Sequence, residues 1–389
     1  MNNRFLQPSH IQLSKSALES NIQFLRERSN DSVKISSVIK GNAYGHGIST
    51  FLPMAEECGI NHFSVFSADE ANEAHIHRKK SETNVMIMGM IRDWEIEWAV
   101  ENEIEFYLFE PARLDAAIEA SKKVGKRARI HLQIETGMNR TGFEESEYKS
   151  CFKKVTENEK YLDLKGICTH YAGAESVANY YRIIHQDKQF RKVLELAGSY
   201  FNPMPTVHAA SSAAYLIYPE MRYDMARIGI AMFGFWPSSE TYMHTLKNDR
   251  RFVNDPLVRV LSWKSEIMST KWVDEGEFIG YGNTFLTSSK MKIATVPIGY
   301  SHGFARSLTN AGYVLISGER ARVVGLVNMN MITVEITDMP DAKKGDEVVI
   351  IGHQEDKDIT VASFGEMSNN LNYEVLTRLP SSIPRDVVR

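Results

Sequence analysis

The chain has 389 residues, more than one average domain holds, so two or three separate hydrophobic cores are expected. Charged residues make up 24% and hydrophobic residues 43%, which excludes a disordered chain, and no apolar stretch approaches the length of a membrane span. The formal net charge is −4, and the basic residues are scattered rather than gathered into a patch, which excludes nucleic acid as a partner.

The first ten residues lack the apolar core of a signal peptide, so a cytoplasmic location is expected. From about residue 12 to 245, short apolar runs alternate with segments of helical spacing. Candidate strands fall at 33–39, 62–67, 85–88, 105–108, 129–134, 164–169, 206–209 and 226–229, and candidate helices between them include 16–28, 68–78, 111–124 and 180–196. Eight such repeats predict an α/β fold, an N-terminal (β/α)8 barrel, in preference to an open sheet.

Beyond residue 250 the texture changes to β-branched runs at 258–267, 292–297, 314–316, 321–327, 331–336 and 347–351, broken by turns such as Asp274-Glu-Gly276 and Lys344-Gly-Asp346. This predicts a separate, mainly-β domain over 250–389, with a hinge near 237–256; the extreme N-terminus, residues 1–11, can pack with it. The cysteines, Cys58, Cys151 and Cys168, are widely spaced and lack metal or redox motifs. They are expected to be reduced core residues, and no metal is predicted.

Chemistry concentrates in Ser37-Val-Ile-Lys-Gly-Asn-Ala-Tyr-Gly-His-Gly47. Lys40 follows a β-rich run, so it sits at or just beyond a strand's C-terminal end, where (β/α)8 enzymes place their reactive groups. A partly desolvated lysine there can form a Schiff base. Gly41, Gly45 and Gly47 permit close backbone approach, and Tyr44 places a phenol within reach of a phosphate on the same loop.

On these residues the chain resembles the alanine racemase family, whose cofactor loop reads valine, a variable residue, lysine, a small residue, then Asn-Ala-Tyr-Gly-His-Gly. The resemblance implies pyridoxal 5′-phosphate (PLP) carried on Lys40, with Tyr44 among its contacts. Further motifs extend it over nearly the whole chain. Glu135-Thr-Gly-Met-Asn-Arg140 is similar to the family's Asp-Thr-Gly-Met-x-Arg, which implies that Arg140 lies near the cofactor's phenolic oxygen and the substrate carboxylate. Thr169-His-Tyr171 implies His170 beside the pyridine ring, and Val207-His-Ala-Ala-Ser-Ser212, similar to His-x-x-Asn-Ser, implies phosphate on Ser212 with Ser211 in place of the asparagine.

Ala226-Arg-Ile-Gly-Ile230 resembles Arg-x-Gly-Ile, which implies Arg227 at the pyridine nitrogen and the amides of Gly229 and Ile230 on phosphate. An arginine keeps its proton, so a ring nitrogen facing it stays unprotonated and is a weak electron sink. Such a site suits a reaction that passes quickly through its carbanion. Asn372-Tyr-Glu-Val375 implies that Tyr373 closes the phosphate site.

Racemisation needs a proton acceptor on one face of the carbanion and a donor on the other. The resemblance implies a homodimer in which the partner's β domain supplies the second base, here Tyr281 in Tyr281-Gly-Asn-Thr-Phe285, along with Tyr300 and Met329 at the substrate. Phe285, Gln133, His302 and Asn330 depart from the family pattern. Gln133 stands where many members carry a lysine, so it can bond Arg140 directly or share an anion with it. His302 and Asn330 replace aspartates near the entrance, which can alter the substrate admitted.

An amino-acid racemase acting on alanine is therefore expected. A racemase of other or broader specificity, a one-base PLP enzyme such as an aldolase of β-hydroxy amino acids, and a non-catalytic PLP-binding protein are the alternatives.

Overall fold

The structure, a computed structural model, describes residues 7–29, 31–247, 254–368 and 372–389. Residues 1–6 of the N-terminal segment and 248–253 of the expected hinge lie outside the described residues. The described residues divide into two compact units. One is drawn from Ser16–Lys40 and Leu52–Val258, the other from Met1–Lys15, Gly41–Phe51 and Arg259–Arg389.

In the first unit, eight strands form a closed barrel: Lys34–Val38, His62–Ser67, Asn84–Met90, Glu105–Leu108, Ala128–Gln133, Leu162–Cys168, Thr206–Ser211 and Met225–Ile228. Neighbours pair in parallel, and the last closes on the first through Ile35↔Ala226 and Ser37↔Ile228. Parallel strands covered on both faces carry little polar alternation, and Glu105–Leu108 and Met225–Ile228 are buried at every position. All eight strands expected from sequence are present.

The intervening helices follow from local signals. Pro111–Val124 starts with Pro at its first position, ends on Gly125 in the left-handed conformation, and buries Leu114, Ala117, Ile118 and Ser121 on one face. Burying each such Leu or Ile contributes about 1.5–3 kcal/mol. Cys168 fills the barrel interior with Met86, Tyr107 and Met225. Burial raises its thiol to about 11.

In the second unit, a seven-stranded sheet runs in the order Glu319–Arg322, Tyr313–Ile316, Glu347–Gln354, Leu261–Glu266, Ser9–Ser14, Arg385–Val388, with Lys357–Ile359 on Glu347–Gln354. A three-stranded sheet joins Ser269–Val273, Met291–Val296 and Ile332–Glu335. Ser9–Ser14 pairs antiparallel with Leu261–Glu266 and parallel with Arg385–Val388, so the two ends of the described chain share this sheet. Trp263 is fully buried there and donates its indole N–H to Ser9 Oγ at 2.6 Å.

The run 321–327, expected as one strand, splits. Strand pairing stops at Arg322, and Val323 makes only an isolated bridge to Val334. Gly325 then turns with φ +80°, where a Cβ would lie 2.6 Å from the Ile279 carbonyl. No helix among the described residues is long and apolar enough to cross a membrane.

Candidate active site

Lys40 lies two residues beyond the first barrel strand, Lys34–Val38, and the chain then enters the left-handed region for five consecutive residues, with φ of 63° at Gly41, 53° at Asn42 and Ala43, 50° at Tyr44 and 79° at Gly45. L-residues pay about 1–2 kcal/mol each to sit there, so the turn exists only because other bonds hold it. Gly45 N–H reaches Gly41 O at 3.1 Å and Gly47 N–H reaches Asn42 O at 2.9 Å. His46 Nδ1–H lies 3.0 Å from both the Ala43 and Tyr44 carbonyls.

Within the β unit this turn is clamped. Arg385 Nη2 donates to Gly45 O at 2.9 Å, and the rings of Tyr44 and Tyr373 lie 6.0 Å apart. A Cβ on Gly45 would fall 1.9 Å from Leu376 O. Gly45→Ala is therefore expected to lower stability by at least about 2 kcal/mol, measured by thermal unfolding, since both sterics and positive φ oppose it. A neutral effect would mean the turn is built otherwise.

Lys40 remains open to solvent, yet its pKa is lowered. Desolvation is the main cause, followed by the Arg140 charge; Glu70 opposes the shift and Arg227 adds to it. A larger fraction of free amine at neutral pH results.

Arg227, on the last barrel strand, is 5% exposed and held rigidly. Its Nη2 donates to Thr169 O at 2.9 Å, Ala209 O at 3.0 Å and His170 Nδ1 at 3.3 Å, and Nη1 donates to His208 Nδ1 at 2.6 Å. Nε has no partner among the described residues. Because arginine only donates, His170 accepts at Nδ1 and carries its proton on Nε2. Burial, then Arg227, Arg140 and Lys40, push the His170 pKa down to about 3, in keeping with a neutral ring at neutral pH.

Ser212 opens the short helix Ser212–Ile217, and its Oγ accepts the Gly229 N–H at 3.0 Å, which leaves the hydroxyl hydrogen to donate. That Gly229 amide, expected from sequence to face an anion, is thus engaged by Ser212. Ile230 begins the turn Ile230–Phe233 directly after it. Ser211, at the helix cap position, makes no side-chain cap bond.

Arg140 is exposed, and its guanidinium has no partner among the described residues. Glu135 does not pair with it. Its carboxylate accepts the backbone N–H groups of Gly137 at 2.5 Å and Arg140 at 3.3 Å, bracing the turn that presents the arginine. Burial would raise the Glu135 pKa, but these amides outweigh it and the net shift is downward. Gln133 makes no hydrogen bond to Arg140 either. It donates to Thr141 O at 3.1 Å and accepts the Thr141 hydroxyl at 3.3 Å, so of the two roles the sequence offered, a direct bond or an anion shared with Arg140, the direct bond is not made.

The β unit carries the remaining sequence candidates. Tyr281 is 72% exposed on a turn bracketed by Gly280 and Gly282, both at positive φ, rather than packed on a strand. Tyr300 and Met329 are brought together, because Tyr300 N–H bonds Asn328 O and Ser301 N–H bonds Met329 O, each at 3.0 Å. Asn330 and His302 both engage the same corner, Asn330 through Ser301 Oγ at 3.0 Å and His302 through Gly299 N–H at 3.1 Å. Phe285 packs against Ile279, Met291, Ile293 and Val324, an apolar cluster that suits a phenyl ring.

The chain also matches known families along its length. Residues 13–237 match the alanine racemase N-terminal domain and residues 260–387 the alanine racemase C-terminal domain. The chain belongs to the alanine racemase family. It is 34% identical to the alanine racemase of Leptospira interrogans over 98% of this chain and 96% of that one. It is 32% identical to that of Methylacidiphilum infernorum over 97% and 92%. Among solved structures it resembles the Bacillus anthracis alanine racemase with bound L-Ala-P, at 30% identity and TM-score 0.87, covering 99% of this chain and 96% of that one. The Clostridium difficile enzyme gives 28% identity and TM-score 0.89, over 99% and 97%.

The protein is thus a PLP-dependent racemase, an isomerase. Its own residues fit the cofactor: a lysine with lowered pKa, an arginine whose two Nη atoms are both engaged while Nε has no partner among the described residues, and an imidazole with a lowered pKa beside it. Motif reading quoted His208 without giving it a role and passed over Glu105 and His131. No local spacing marks them, because they meet only when the barrel closes.

Proposed function

We propose that this racemase interconverts L- and D-alanine by a two-base mechanism, with Lys40 and Tyr281 on opposite faces of the substrate. The observation that carries the reading is the pairing of Lys40, its pKa lowered at a barrel strand end, with the rigidly held Arg227. Lys40, Tyr44, His170, Ser212, Arg227, Gly229, Ile230 and Tyr373 would hold PLP, which when bound supplies the electron-withdrawing system that acidifies the substrate's Cα–H.

Arg140, whose guanidinium has no partner among the described residues, binds the substrate carboxylate as a planar fork. Lys40 Nζ takes or returns the α-proton on one face, and Tyr281 Oη does so on the other. Arg227, permanently charged, would hold the cofactor's ring nitrogen without giving it a proton, which would favour prompt return of the α-proton over side reactions.

The active form is a homodimer in which Tyr281, Tyr300 and Met329 come from the second subunit. The β unit leaves Trp272 at 54%, Phe278 at 51%, Leu286 at 53% and Met329 at 54% exposure, a level of open apolar surface that a subunit partner accounts for. Three cysteines without disulfides suit the reducing cytoplasm. Incubating the PLP-loaded protein with a panel of L- and D-amino acids and following chirality tests the reading: alanine should racemise fastest. Aldehyde release without inversion, or no reaction with any amino acid, would refute it.

A further inference from the structure

A continuous hydrogen-bonded chain of buried side chains crosses the barrel interior and ends on Arg227. From Arg227 Nη1 it passes to His208 Nδ1 at 2.6 Å, from His208 Nε2 to His131 Nδ1 at 2.9 Å, and from His131 Nε2 to Glu105 Oε2 at 2.9 Å. On the other side His62 Nε2 meets the same Glu105 oxygen at 3.0 Å, His62 Nδ1 meets Ser36 Oγ at 2.8 Å, and Ser36 meets Ser64 at 2.5 Å. Arg129 Nη2 donates to Glu105 Oε1 at 2.8 Å.

Two of these bonds, His208–His131 and His62–Glu105, each skip a strand and the others join neighbours, so the chain runs through the interior, where such barrels ordinarily stack Val, Ile and Leu. The strand between His131 and His208 makes room with Gly166, where a Cβ would lie 2.4 Å from His131 Nδ1. His62, His131 and His208 are each about 1% exposed or less, and Glu105 is 4% exposed.

Donor and acceptor roles along the chain are forced. Arg227 can only donate, so His208 accepts at Nδ1 and carries its proton on Nε2. That proton is given to His131 Nδ1, which places the His131 proton on Nε2, facing Glu105. The carboxylate accepts from His131, His62 and Arg129 together. Burial alone would raise the Glu105 pKa, but the imidazole N–H donors outweigh it and hold the group ionised. Burial, then Arg227, keeps the His208 pKa well below its ordinary value, in keeping with a neutral ring.

We propose that Glu105 is a positioning residue for the racemase reaction: through His131 and His208 it fixes the orientation of Arg227 and so tunes the arginine's contact with the cofactor ring nitrogen. The proposal rests on the assignment of Arg227 to that nitrogen. An amide cannot replace the carboxylate. If a glutamine turns its NH2 to the imidazoles, both must reverse tautomer, and His208 would present an N–H to Arg227; if it turns its oxygen to them, its NH2 meets Arg129.

The test uses holoenzyme with 15N-labelled PLP and 15N-histidine. In the unmodified protein, nitrogen shifts should show His131 and His208 neutral with the proton on Nε2; a proton on either Nδ1 overturns the proposal, whether or not any variant folds. Arg227→Lys should move the pyridine 15N resonance. If it does not, the assignment of Arg227 fails and this proposal falls with it.

Glu105→Gln should move the same resonance and lower kcat about tenfold or more, with KM changed far less, as is common when an outer hydrogen-bond partner is lost. If Arg227→Lys moves the resonance while a folded Glu105→Gln protein keeps the parent resonance and kcat, the cofactor assignment stands and the Glu105 proposal alone is refuted.

Discussion

Replacing Lys40 with alanine is expected to lower racemisation by about 10⁴-fold or more and to leave PLP removable by dialysis, because one side chain is both attachment point and base. The fold should survive. Lys40 is open to solvent, and surface truncations away from caps and strained positions usually change stability by about 0.5 kcal/mol or less. Lys40→Arg retains the positive charge but cannot release a proton near neutral pH, so it should be equally inactive. Optical rotation with alanine and absorbance of dialysed protein measure both effects. An active Lys40→Ala protein would remove the assignment on which every other role depends.

Tyr281→Phe is expected to lower racemisation by about 10³-fold while leaving bound PLP unchanged, a loss within the usual range for a single acid–base group. The phenyl ring is kept, so packing is retained and only Oη is lost. At 72% exposure, Tyr281 has little fold to support, which separates this loss from unfolding. Stability should differ from the parent by less than about 0.5 kcal/mol, and a larger difference would mean the tyrosine is structural.

Acid is expected to destabilise the chain before the carboxylates titrate. Burial first, with the Arg385 charge adding, depresses His46 from 6.5 to about 4, despite its bonds to the Tyr44 and Ala43 carbonyls. His170 is depressed to about 3. Below pH 6.5 the unfolded chain binds protons that the folded one refuses. The stability these neutral rings contribute is therefore complete above 6.5 and lost as pH falls toward 4 and then 3. Each group accounts for about 1.4 kcal/mol per pH unit across its window. Denaturant unfolding at pH 7, 6, 5 and 4 should show a steep decline; a flat profile would mean these rings are solvated.

The barrel was legible because parallel strands buried on both faces leave continuous apolar runs, and all eight strands appear where such runs occur. Ser9–Ser14 was not assigned as a strand. It alternates buried and half-buried positions, but its partners are at Leu261–Glu266 and Arg385–Val388, at the far end of the chain. Ser269–Val273, mostly exposed, gave no apolar signal either.

Within the site, Lys40, Arg140 and Arg227 could be read from motifs because each lies in a distinctive local run. The left-handed turn was foreshadowed only by Gly41 and Gly45; Asn42, Ala43 and Tyr44 adopt it because Arg385 and the Leu376 backbone hold that corner. Gln133 could be read either as a direct partner of Arg140 or as sharing an anion with it; its amide instead bonds the nearer Thr141 groups on the tight turn after the strand, so the direct bond is not made. The Glu105 chain gave no sequence signal, since its members are spread over several strands and meet only across the closed barrel.

The two-base claim is tested most directly by incubating Tyr281→Phe holoenzyme separately with L- and D-alanine in D2O and following α-deuteration together with chirality. With Lys40 alone remaining, one enantiomer should gain deuterium with retention, the other should exchange far more slowly, and inversion should nearly vanish. Equal exchange from both enantiomers with inversion at the parental rate would contradict the assignment of Tyr281 to the face opposite Lys40.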